Sequence, residues 1–439
     1  MSSVTQLLSK LRGQAVQRVE FANVRMHRRS LAIAAATLLA LAGIALAPAV
    51  IAKDRHDDGH WVGTWSASPR AVAAPIQING QTVRQIVHTS LGGERVRVRL
   101  SNAYGTSALV IGAAHVAISS GGASIAQGTD RVLMFNGSPT IAIPAGALAV
   151  SDAVGLDVPA LGDLAVSLYL PENVAATTQH SVGLQTTYIS TPGNFTGAST
   201  LAATTTQSFY FLTGVEVRAS ERARAIVTLG DSVTDGFGST PDTNQRWPNL
   251  LAERLQSNPG ESRVAVLNEG LSGNRVLHDL VGTNALARLD RDVLVQTGVR
   301  YVIVQEGLND FVIPGLIGRP AEDVTADQVI QGHRQIIDRA HALGLRIYGS
   351  TLPPFVGSRF FSAAGAAGES KRQAVNHWIR TSRAYDAVID FEKVIRDPSD
   401  PTRILPAYDS GDHVHPNDIG YRAMADAIDL SLFRDDDEG

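Results

Sequence analysis

Three residues that can act together as a nucleophile and its base lie far apart in this sequence. Ser232 ends a Gly-Asp-Ser run, and Asp412 and His415 share a short segment that continues into Pro416. A serine hydroxyl is a weak nucleophile unless a neighbouring base takes its proton. Because Asp412 and His415 are three residues apart, the carboxylate can reach Nδ1–H of the ring and leave Nε2 free for Ser232. The combination indicates acyl-transfer chemistry.

Other interpretations of these residues stay open at this stage. Ser232 can serve only as the cap of the helix that follows it. His413 is a rival to His415 as the base, but it adjoins Asp412, and adjacent side chains in an extended loop point apart. We therefore expect His415 to be the base. Both histidines can also be surface residues of a loop that starts a helix.

Acyl transfer also needs hydrogen-bond donors for the developing oxyanion, each worth roughly 3 kcal/mol. The backbone N–H of Ser232 is one candidate. The N–H of Gly273 is a second, since a residue without a side chain allows close approach. The side-chain amide of Asn309 is a third. Taken singly, Gly273 also fits a simple turn, and Asn309 with Asp310 fits a simple loop.

The pattern of apolar residues changes along the sequence. It predicts a β-rich part at residues 61–217 and an α/β part at residues 218–433. In the β-rich part, short alternating runs such as 96–100 and 164–170 are separated by turn residues. This is typical of an antiparallel sandwich or a jelly-roll-like fold. Its histidines are expected to be ordinary strand residues: His88, His115 and His180.

In the α/β part, apolar strand-like runs alternate with stretches of helical period. The predicted strands are 225–229, 264–267, 301–304, 346–349 and 388–391, and the predicted helices are 247–255, 326–343, 369–382 and 417–430. Continuous apolar strands joined by helices form a parallel sheet that is covered on both faces. We expect a flavodoxin-like three-layer α/β/α domain with a five-stranded parallel sheet. Ligands of such sheets bind beyond the carboxyl ends of the strands.

The first 52 residues have the pattern of an export signal. Basic residues precede an uncharged stretch that ends near Ala52, where we expect cleavage. Met26 is an alternative start, and an uncleaved membrane anchor is the alternative to cleavage. A cleaved signal predicts a secreted or periplasmic protein without stable membrane insertion. Residues 53–60 are predicted to be a linker and residues 434–439 a disordered tail.

Composition excludes several other chemistries. With 439 residues, of which 44% are hydrophobic and 18% charged, the chain can form two or three domains with full cores. It contains no cysteine, which excludes disulfides, cysteine nucleophiles and iron–sulfur clusters. A net charge of −4 argues against a nucleic-acid partner. The sequence has no P-loop, dinucleotide-binding or zinc-protease motif.

Taken in order, four blocks resemble the SGNH, or GDSL-type, hydrolases, a family named for its Ser, Gly, Asn and His. The resemblance covers roughly residues 225–430. Residues at the positions of the family's motifs are Ser232 as nucleophile, Gly273 and Asn309 as the glycine and asparagine, and His415 with its partner Asp412. Near these positions only Val233 departs from the motif, where the Gly-Asp-Ser-Leu form has leucine. The runs at 96–102 and 240–248 are similar to exported members with an N-terminal β-rich domain.

The resemblance implies a secreted serine esterase that forms an acyl-enzyme on Ser232 without a metal or a cofactor. Its oxyanion donors would be Ser232, Gly273 and Asn309. The expected substrates are small-molecule or polysaccharide esters with short acyl groups or carbohydrate O-acyl groups. A lipase or lysophospholipase for longer chains is the alternative, and a non-catalytic surface-binding module is the alternative from another class. The apolar loops predicted at 311–317 and 353–356 can form an acyl or aryl pocket, or they can pack on the domain interface or on their own helices.

Overall fold

Antiparallel strands make up the first part of the chain that the structure describes. The computed structural model describes residues 59–358, 360 and 362–434, and within them no helix forms before residue 231. The strands are β1 (Gly59–Ser66), β2 (Arg70–Ala71), β3 (Gln77–His88), β4 (Gly93–Ser101), β5 (Leu109–Ile111), β6 (Ala113–Gly121), β7 (Ser124–Ile125), β8 (Arg131–Leu133), β9 (Ile141–Ile143), β10 (Leu148–Val150), β11 (Val154–Val158), β12 (Asp163–Ala175), β13 (Thr178–His180), β14 (Thr187–Pro192), β15 (Ala203–Thr206), β16 (Phe209–Tyr210) and β17 (Leu212–Ser220). A β-rich N-terminal part is therefore present, as the alternating runs predict.

Two sheets carry most of these strands. One has the order β1-β17-β4-β10, with β11 also paired to β4; the other has the order β15-β14-β3-β12-β6-β7, with β8 also paired to β6. Apolar side chains of both sheets, among them Val98 and Val166, belong to one buried cluster. This follows from the two-residue period of a strand, which sends alternate side chains to one face. The jelly-roll-like path stays a prediction.

The bounds of the first and last strands of this part differ from the predicted segment limits. Strand β1 begins at Gly59, so the last two residues of the predicted linker lie in a strand. Strand β17 continues to Ser220, beyond the predicted limit at residue 217. The rest of the predicted linker, the predicted signal segment and residues 435–439 of the predicted tail lie outside the described residues.

The second part of the chain is built on a parallel sheet. Its elements are β18 (Arg224–Gly230), α1 (Ser232–Asp235), α2 (Trp247–Gln256), β19 (Val264–Gly270), α3 (Ala285–Leu289), β20 (Val299–Gln305), α4 (Leu308–Leu316), α5 (Ala326–Ala342), β21 (Arg346–Ser350), α6 (Gly365–Thr381), β22 (Ala387–Ile389), α7 (Phe391–Ile395), a hairpin of β23 (Arg396–Asp397) and β24 (Asp400–Ile404), and α8 (Asp418–Asp426). The five parallel strands have the order β19-β18-β20-β21-β22. This confirms the predicted five-stranded parallel sheet.

Helices cover both faces of this sheet. Along β18, Val227 and Leu229 join one buried cluster and Ile226 joins another. The first cluster includes apolar side chains of α3 to α6, and the second includes those of α2, α7 and α8. Strands that are buried on both faces are apolar at nearly every position, which explains why this part has continuous apolar runs and not alternating ones.

Helix α4 is the main departure from the predicted elements. Residues 311–317 are expected to be an apolar loop, but α4 includes all of them except Ile317, and Phe311, Val312 and Ile313 are buried in the core. A proline inside this segment disfavours a helical prediction, since it lacks an N–H and clashes with the preceding turn. Packing of the apolar face outweighs that penalty here.

The β-rich part packs against β19, which is an edge strand of the parallel sheet. The N–H of Val266 donates to Ser90 Oγ over 3.0 Å, and the N–H of Gly63 donates to the carbonyl of Thr297 over 2.8 Å. Val62 joins the core of the α/β part. A strand at the edge of a sheet has unpaired backbone groups that must be covered or hydrogen-bonded. The two parts consequently pack as one compact unit.

No helix of the described residues is both long and apolar enough to cross a bilayer.

Gly270 is required where β19 comes close to α1. A Cβ at this position would lie 2.2 Å from the backbone nitrogen of Asp235. We expect Gly270→Ala to lower the free energy of unfolding by about 2 kcal/mol or more, because the backbone of α1 must move. Urea unfolding measures the change. Gly155→Ala in β11 is the matched control, since no atom lies within 4 Å of its added Cβ. Equal stability of the two variants would contradict this packing.

Candidate active site

Ser232 lies at the carboxyl end of β18, which is paired with β19 and β20 in the parallel sheet, and at the start of α1. The cap of this short helix is Asp231, whose side chain accepts the N–H of Val233 over 3.0 Å. The hydroxyl of Ser232 is thus not the helix cap that one interpretation of the sequence allows. Because the helix begins at Ser232, its own N–H has no partner within the helix.

The hydroxyl of Ser232 meets the ring of His415. The distance from Ser232 Oγ to His415 Nε2 is 2.8 Å, and His415 Nδ1 lies 2.6 Å from Asp412 Oδ2. The other carboxylate oxygen of Asp412 accepts the N–H of His415 over 2.9 Å. His415 is 7% exposed, so water reaches only its edge. The structure therefore brings together the three residues that the sequence singles out for nucleophile, base and acid partner.

The charge of Asp412 determines which nitrogen of His415 carries the proton. Partial burial raises the pKa of Asp412, but the hydrogen bonds and charge of His415 outweigh it and lower the pKa to about 2. An ionised carboxylate only accepts hydrogen bonds, so Nδ1 of His415 must donate. In the neutral ring, Nε2 then carries the lone pair, which faces Ser232 and can accept the hydroxyl proton.

His413, the rival base, belongs to a separate pair. Its Nδ1 lies 2.5 Å from Asp409 Oδ2, and its side chain is 54% exposed. It also has a φ of 67°, a left-handed conformation that non-glycine residues seldom adopt. The carboxylate that His413 contacts is therefore Asp409, whereas Asp412 contacts His415.

Gly273 follows β19 in the turn next to α1. Its φ of 80° favours glycine, and an added Cβ would lie 3.0 Å from the Val281 side chain. Within the described residues, neither the N–H of Gly273 nor that of Ser232 has a hydrogen-bond partner. Unpaired N–H groups at strand ends of one sheet edge are suited to receive a negatively charged oxygen.

Asn309 lies in the first turn of α4, not in the simple loop that the sequence also allows. It is 4% exposed, and its Nδ2 donates to the carbonyl of Asn274 over 2.9 Å. An amide has two N–H donors, so one stays available after this contact. The contact also fixes Asn309 beside the turn that contains Gly273.

Asp310 binds the segment that follows the Gly273 turn. Its two carboxylate oxygens accept the N–H groups of Val276 and Leu277 over 2.7 and 3.0 Å. Burial raises the pKa of Asp310 to about 7, although these two N–H groups oppose the shift. The Asn-Asp pair at 309–310 therefore binds the segment after Gly273 at two points.

Arg288, which is not predicted from the sequence, is a buried side chain that connects the strand ends through hydrogen bonds. Its guanidinium donates to the carbonyl of Gly230 over 3.1 Å, to the carbonyl of Glu269 over 2.9 Å and to Asn274 Oδ1 over 2.7 Å. It thus contacts the end of β18, the end of β19 and the Gly273 turn. A single arginine on a helix carries no motif, so no signal in the sequence identifies it.

Several carboxyl groups are buried in this region, and two of them, Asp292 and Glu306, lie 3.4 and 4.0 Å from the Arg288 guanidinium. Burial raises the pKa of Asp231 to about 6, and burial with the charge of Asp231 raises the pKa of Glu306 well above its ordinary range. Both oxygens of Glu306 lack a hydrogen-bond partner among the described residues. A carboxyl that is buried without partners is favoured in its neutral form. Below the nucleophile the site consequently holds less negative charge than its acidic residues indicate.

An exposed aromatic ring lies beside the base. The ring centroids of Phe237 and His415 are 4.6 Å apart, and Phe237 is 42% exposed. The carbonyl of Phe237 accepts the hydroxyl of Tyr421 over 2.6 Å, and its N–H donates to the carbonyl of Ser232. These bonds fix an apolar surface next to the Ser232 hydroxyl. No group of three or more His, Cys, Asp or Glu side chains in the described part of the chain is arranged to hold a metal ion.

Residues 228–423 match the model of the GDSL-like lipase/acylhydrolase family. This range contains Ser232, Gly273, Asn309 and both members of the Asp412–His415 pair. The α/β part is a GDSL-type hydrolase domain. The protein is accordingly a carboxylic ester hydrolase, and the non-catalytic binding module that the sequence leaves open is not its class.

Solved structures of GDSL hydrolases and other esterases are similar to part of the chain. The carbohydrate acetylesterase Est24 from Sinorhizobium meliloti is 16% identical, with a TM-score of 0.39, 48% of this chain covered and 98% of that one. The M. smegmatis aryl esterase is 19% identical, with a TM-score of 0.39 and coverages of 48% and 99%. A GDSL-like lipase from Bacteroides thetaiotaomicron is 16% identical, with a TM-score of 0.38 and coverages of 49% and 90%. No curated protein matches this chain.

The low pKa of Asp412 predicts a pH-dependent contribution to the stability of the hydrolase. A carboxyl whose folded pKa is about 2 stabilises the fold above the pKa of free aspartate, about 4, and loses this effect as the pH falls toward 2. We expect Asp412→Asn to be less stable than the wild type at pH 6 and the difference to shrink below pH 4. Urea unfolding across this range measures both. A difference that is constant with pH would contradict the ionised pair.

Proposed function

We propose that the protein is a secreted esterase that hydrolyses short-acyl or carbohydrate O-acyl esters through an acyl-enzyme on Ser232. Asp412, His415 and Ser232 form its catalytic triad in this proposal. The observation that carries it is the continuous chain of hydrogen bonds from Asp412 through His415 to the Ser232 hydroxyl, with distances of 2.6 and 2.8 Å. This is the contact that a serine nucleophile needs for its activation.

In the first half of the reaction, Ser232 Oγ attacks the ester carbonyl while Nε2 of His415 takes its proton. The ring becomes an imidazolium, which the ionised Asp412 stabilises. Collapse of the tetrahedral intermediate expels the alcohol, which leaves with the proton from Nε2. Water then attacks the acyl-enzyme with His415 again as base, and the acid and free Ser232 are formed.

The oxyanion of both tetrahedral intermediates needs donors that are already in position. The unpaired N–H groups of Ser232 and Gly273 and the remaining N–H of Asn309 support this role. Donors that are fixed by the fold before the reaction lose nothing to reorganisation when charge develops. The turn that contains Gly273 is fixed by two contacts. Asn309 donates to the carbonyl of Asn274, and Asp310 accepts the N–H groups of the two residues at 276 and 277.

The two His–Asp pairs of one loop allow a matched test of the triad. We expect His415→Ala and Ser232→Ala each to lower kcat for p-nitrophenyl acetate by about 10⁴ or more. His413→Ala removes a histidine that is two residues away and paired with Asp409, and it should keep kcat within about threefold of the wild type. Steady-state kinetics of the purified variants measure these values. Full turnover by Ser232→Ala would refute the proposed mechanism.

The burial of α4 supports small acyl groups. Phe311, Val312 and Ile313 could form an acyl groove only if they faced the site, but they are at most 5% exposed and belong to the core. The ring of Phe237, by contrast, is exposed and contacts the ring of His415. One exposed aromatic ring can contact the face of a sugar or a short acyl or aryl group.

A cavity next to the His413 loop favours a second candidate, a lipase for longer acyl chains. Its volume is about 390 Å³, and Phe355, Val356, Gly365 and Ala366 are among its lining residues. A Cβ on Gly357, which also lines it, would lie 3.7 Å from the Cβ of His413. A mainly apolar cavity of this size can hold an acyl chain.

A series of p-nitrophenyl esters from acetate to palmitate separates the two candidates. Since no buried groove is available in α4, we expect kcat/KM to be highest for acetate and to fall beyond butyrate. Ala366→Trp fills the cavity and should leave kcat/KM unchanged for every ester of the series. A maximum at long chains that Ala366→Trp abolishes would contradict the short-acyl preference and support the lipase.

The proposal also includes export of the protein and separate roles for its two domains. Residues 1–52 have the sequence pattern of a secretory signal, which supports a secreted or periplasmic location. Residues 218–433 are proposed to be the hydrolase domain and residues 61–217 an accessory domain. Mass spectrometry of the secreted protein tests the cleavage after Ala52.

A further inference from the structure

We propose that His180 of the β-rich part is a positioning residue for ester hydrolysis. It acts through Asp235 and Ser272 on the turn that contains Gly273. This inference rests on the proposed function, because it assigns a role to the oxyanion donor Gly273. It also gives the β-rich part a task in the reaction.

Asp235 links the helix of the nucleophile to the Gly273 turn. It is the last residue of α1, which begins at Ser232. Its Oδ2 accepts both the N–H of Ser272 over 2.9 Å and the hydroxyl of Ser272 over 2.6 Å. Ser272 precedes Gly273 directly, so the orientation of the peptide between them depends on this carboxylate. The N–H of Gly273, which would donate to the oxyanion, belongs to that peptide.

His180 holds the other oxygen of the same carboxylate. Its Nε2 lies 2.9 Å from Asp235 Oδ1, and its Nδ1 lies 2.9 Å from the carbonyl of Ser68. His180 is 5% exposed and Asp235 is 2% exposed. The carbonyl of Ser68 can only accept, so Nδ1 must donate, and a second proton on Nε2 makes His180 a cation that donates to Asp235. His180 is the last residue of strand β13, in keeping with the expectation of a strand residue, and both of its ring nitrogens have partners.

The charges around His180 are consistent with this state. Burial lowers its pKa, but the charge and hydrogen bond of Asp235 outweigh that effect, and the net pKa is raised. Arg246 opposes the shift from the start of α2, and Arg70 in β2 faces Asp235. His88 lines the same small cavity between the two parts. The ion pair is present below the raised pKa of His180 and weakens as the pH rises through it.

Among the described residues, neither His180 nor Asp235 forms a hydrogen bond with the Ser232 hydroxyl or with the ring of His415. Loss of either would therefore leave the triad assembled and displace the Gly273 N–H. A donor that acts only on the developing oxyanion stabilises the transition state more than bound substrate. The proposal thus predicts a fall in kcat with little change in KM.

The test uses His180→Phe, His180→Gln and Asp235→Asn in the full chain. Phenylalanine fills the space without a donor, whereas glutamine keeps one N–H for Asp235. We expect His180→Phe and Asp235→Asn to lower kcat for p-nitrophenyl acetate by about 10- to 100-fold, as small displacements of catalytic groups do. KM should stay within about twofold, and His180→Gln should recover part of kcat. Asp235→Asn carries the test if His180→Phe does not fold.

His115→Phe is the matched control. His115 is also a histidine of the β-rich part that contacts a carboxylate, Asp130, at 3.0 Å, but it is remote in sequence and contacts from the Gly273 turn. It should keep the wild-type kcat. A pH profile adds a second measurement: a decline of kcat at alkaline pH in the wild type that is absent in His180→Gln supports the proposal.

Two results would overturn this inference. One is a folded His180→Phe enzyme with the kcat of the wild type. The other is a rise in KM at unchanged kcat, which would place His180 in substrate binding. If Ser232→Ala is inactive in either case, the proposed function stands and only the role of His180 fails. If Ser232→Ala keeps full activity, the proposed function fails first.

Discussion

The hydrogen bond between Ser232 and His415 depends on the geometry of one parallel sheet. It joins residues that are 183 positions apart in the sequence. Ser232 follows β18, and the turn with Gly273 and the first turn of α4 follow its two neighbours in the sheet, β19 and β20. Because parallel strands end at the same edge, chemistry-bearing residues from distant segments meet there. The loop before α8 adds His415 to this edge.

A buried polar network keeps that edge rigid. Arg288 binds the ends of β18 and β19, and Asp310 binds the segment after Gly273. Such groups are expensive to bury singly, and each is matched by partners of opposite character. Glu306 is matched least well: its carboxylate lies 4.0 Å from the Arg288 guanidinium, neither oxygen has a hydrogen-bond partner among the described residues, and its pKa is raised. The network favours one arrangement of the strand ends, and catalysis in the proposed mechanism requires such an arrangement.

Local patterns predict the strands of the α/β part and the residues of the site, because both depend on short-range signals. Continuous apolar runs identify a sheet that is buried on both faces, and the spacing of Asp412 and His415 identifies the pair that forms. The role of His180 cannot be predicted in this way. Its partner Asp235 lies in another part of the fold, and only the packing of β13 against α1 brings them together. Helix α4 is missed for a related reason, since tertiary packing overrides its proline.

The most direct test of the central claim is to locate the residue that a fluorophosphonate probe labels. The probe reacts with a serine only when a base activates it, so it reports the assembled site and not the sequence motif. Mass spectrometry of the labelled and digested wild-type protein should place the adduct on Ser232 alone, and His415→Ala should greatly slow its formation. An adduct on another residue, or labelling that proceeds unchanged without His415, would contradict the account.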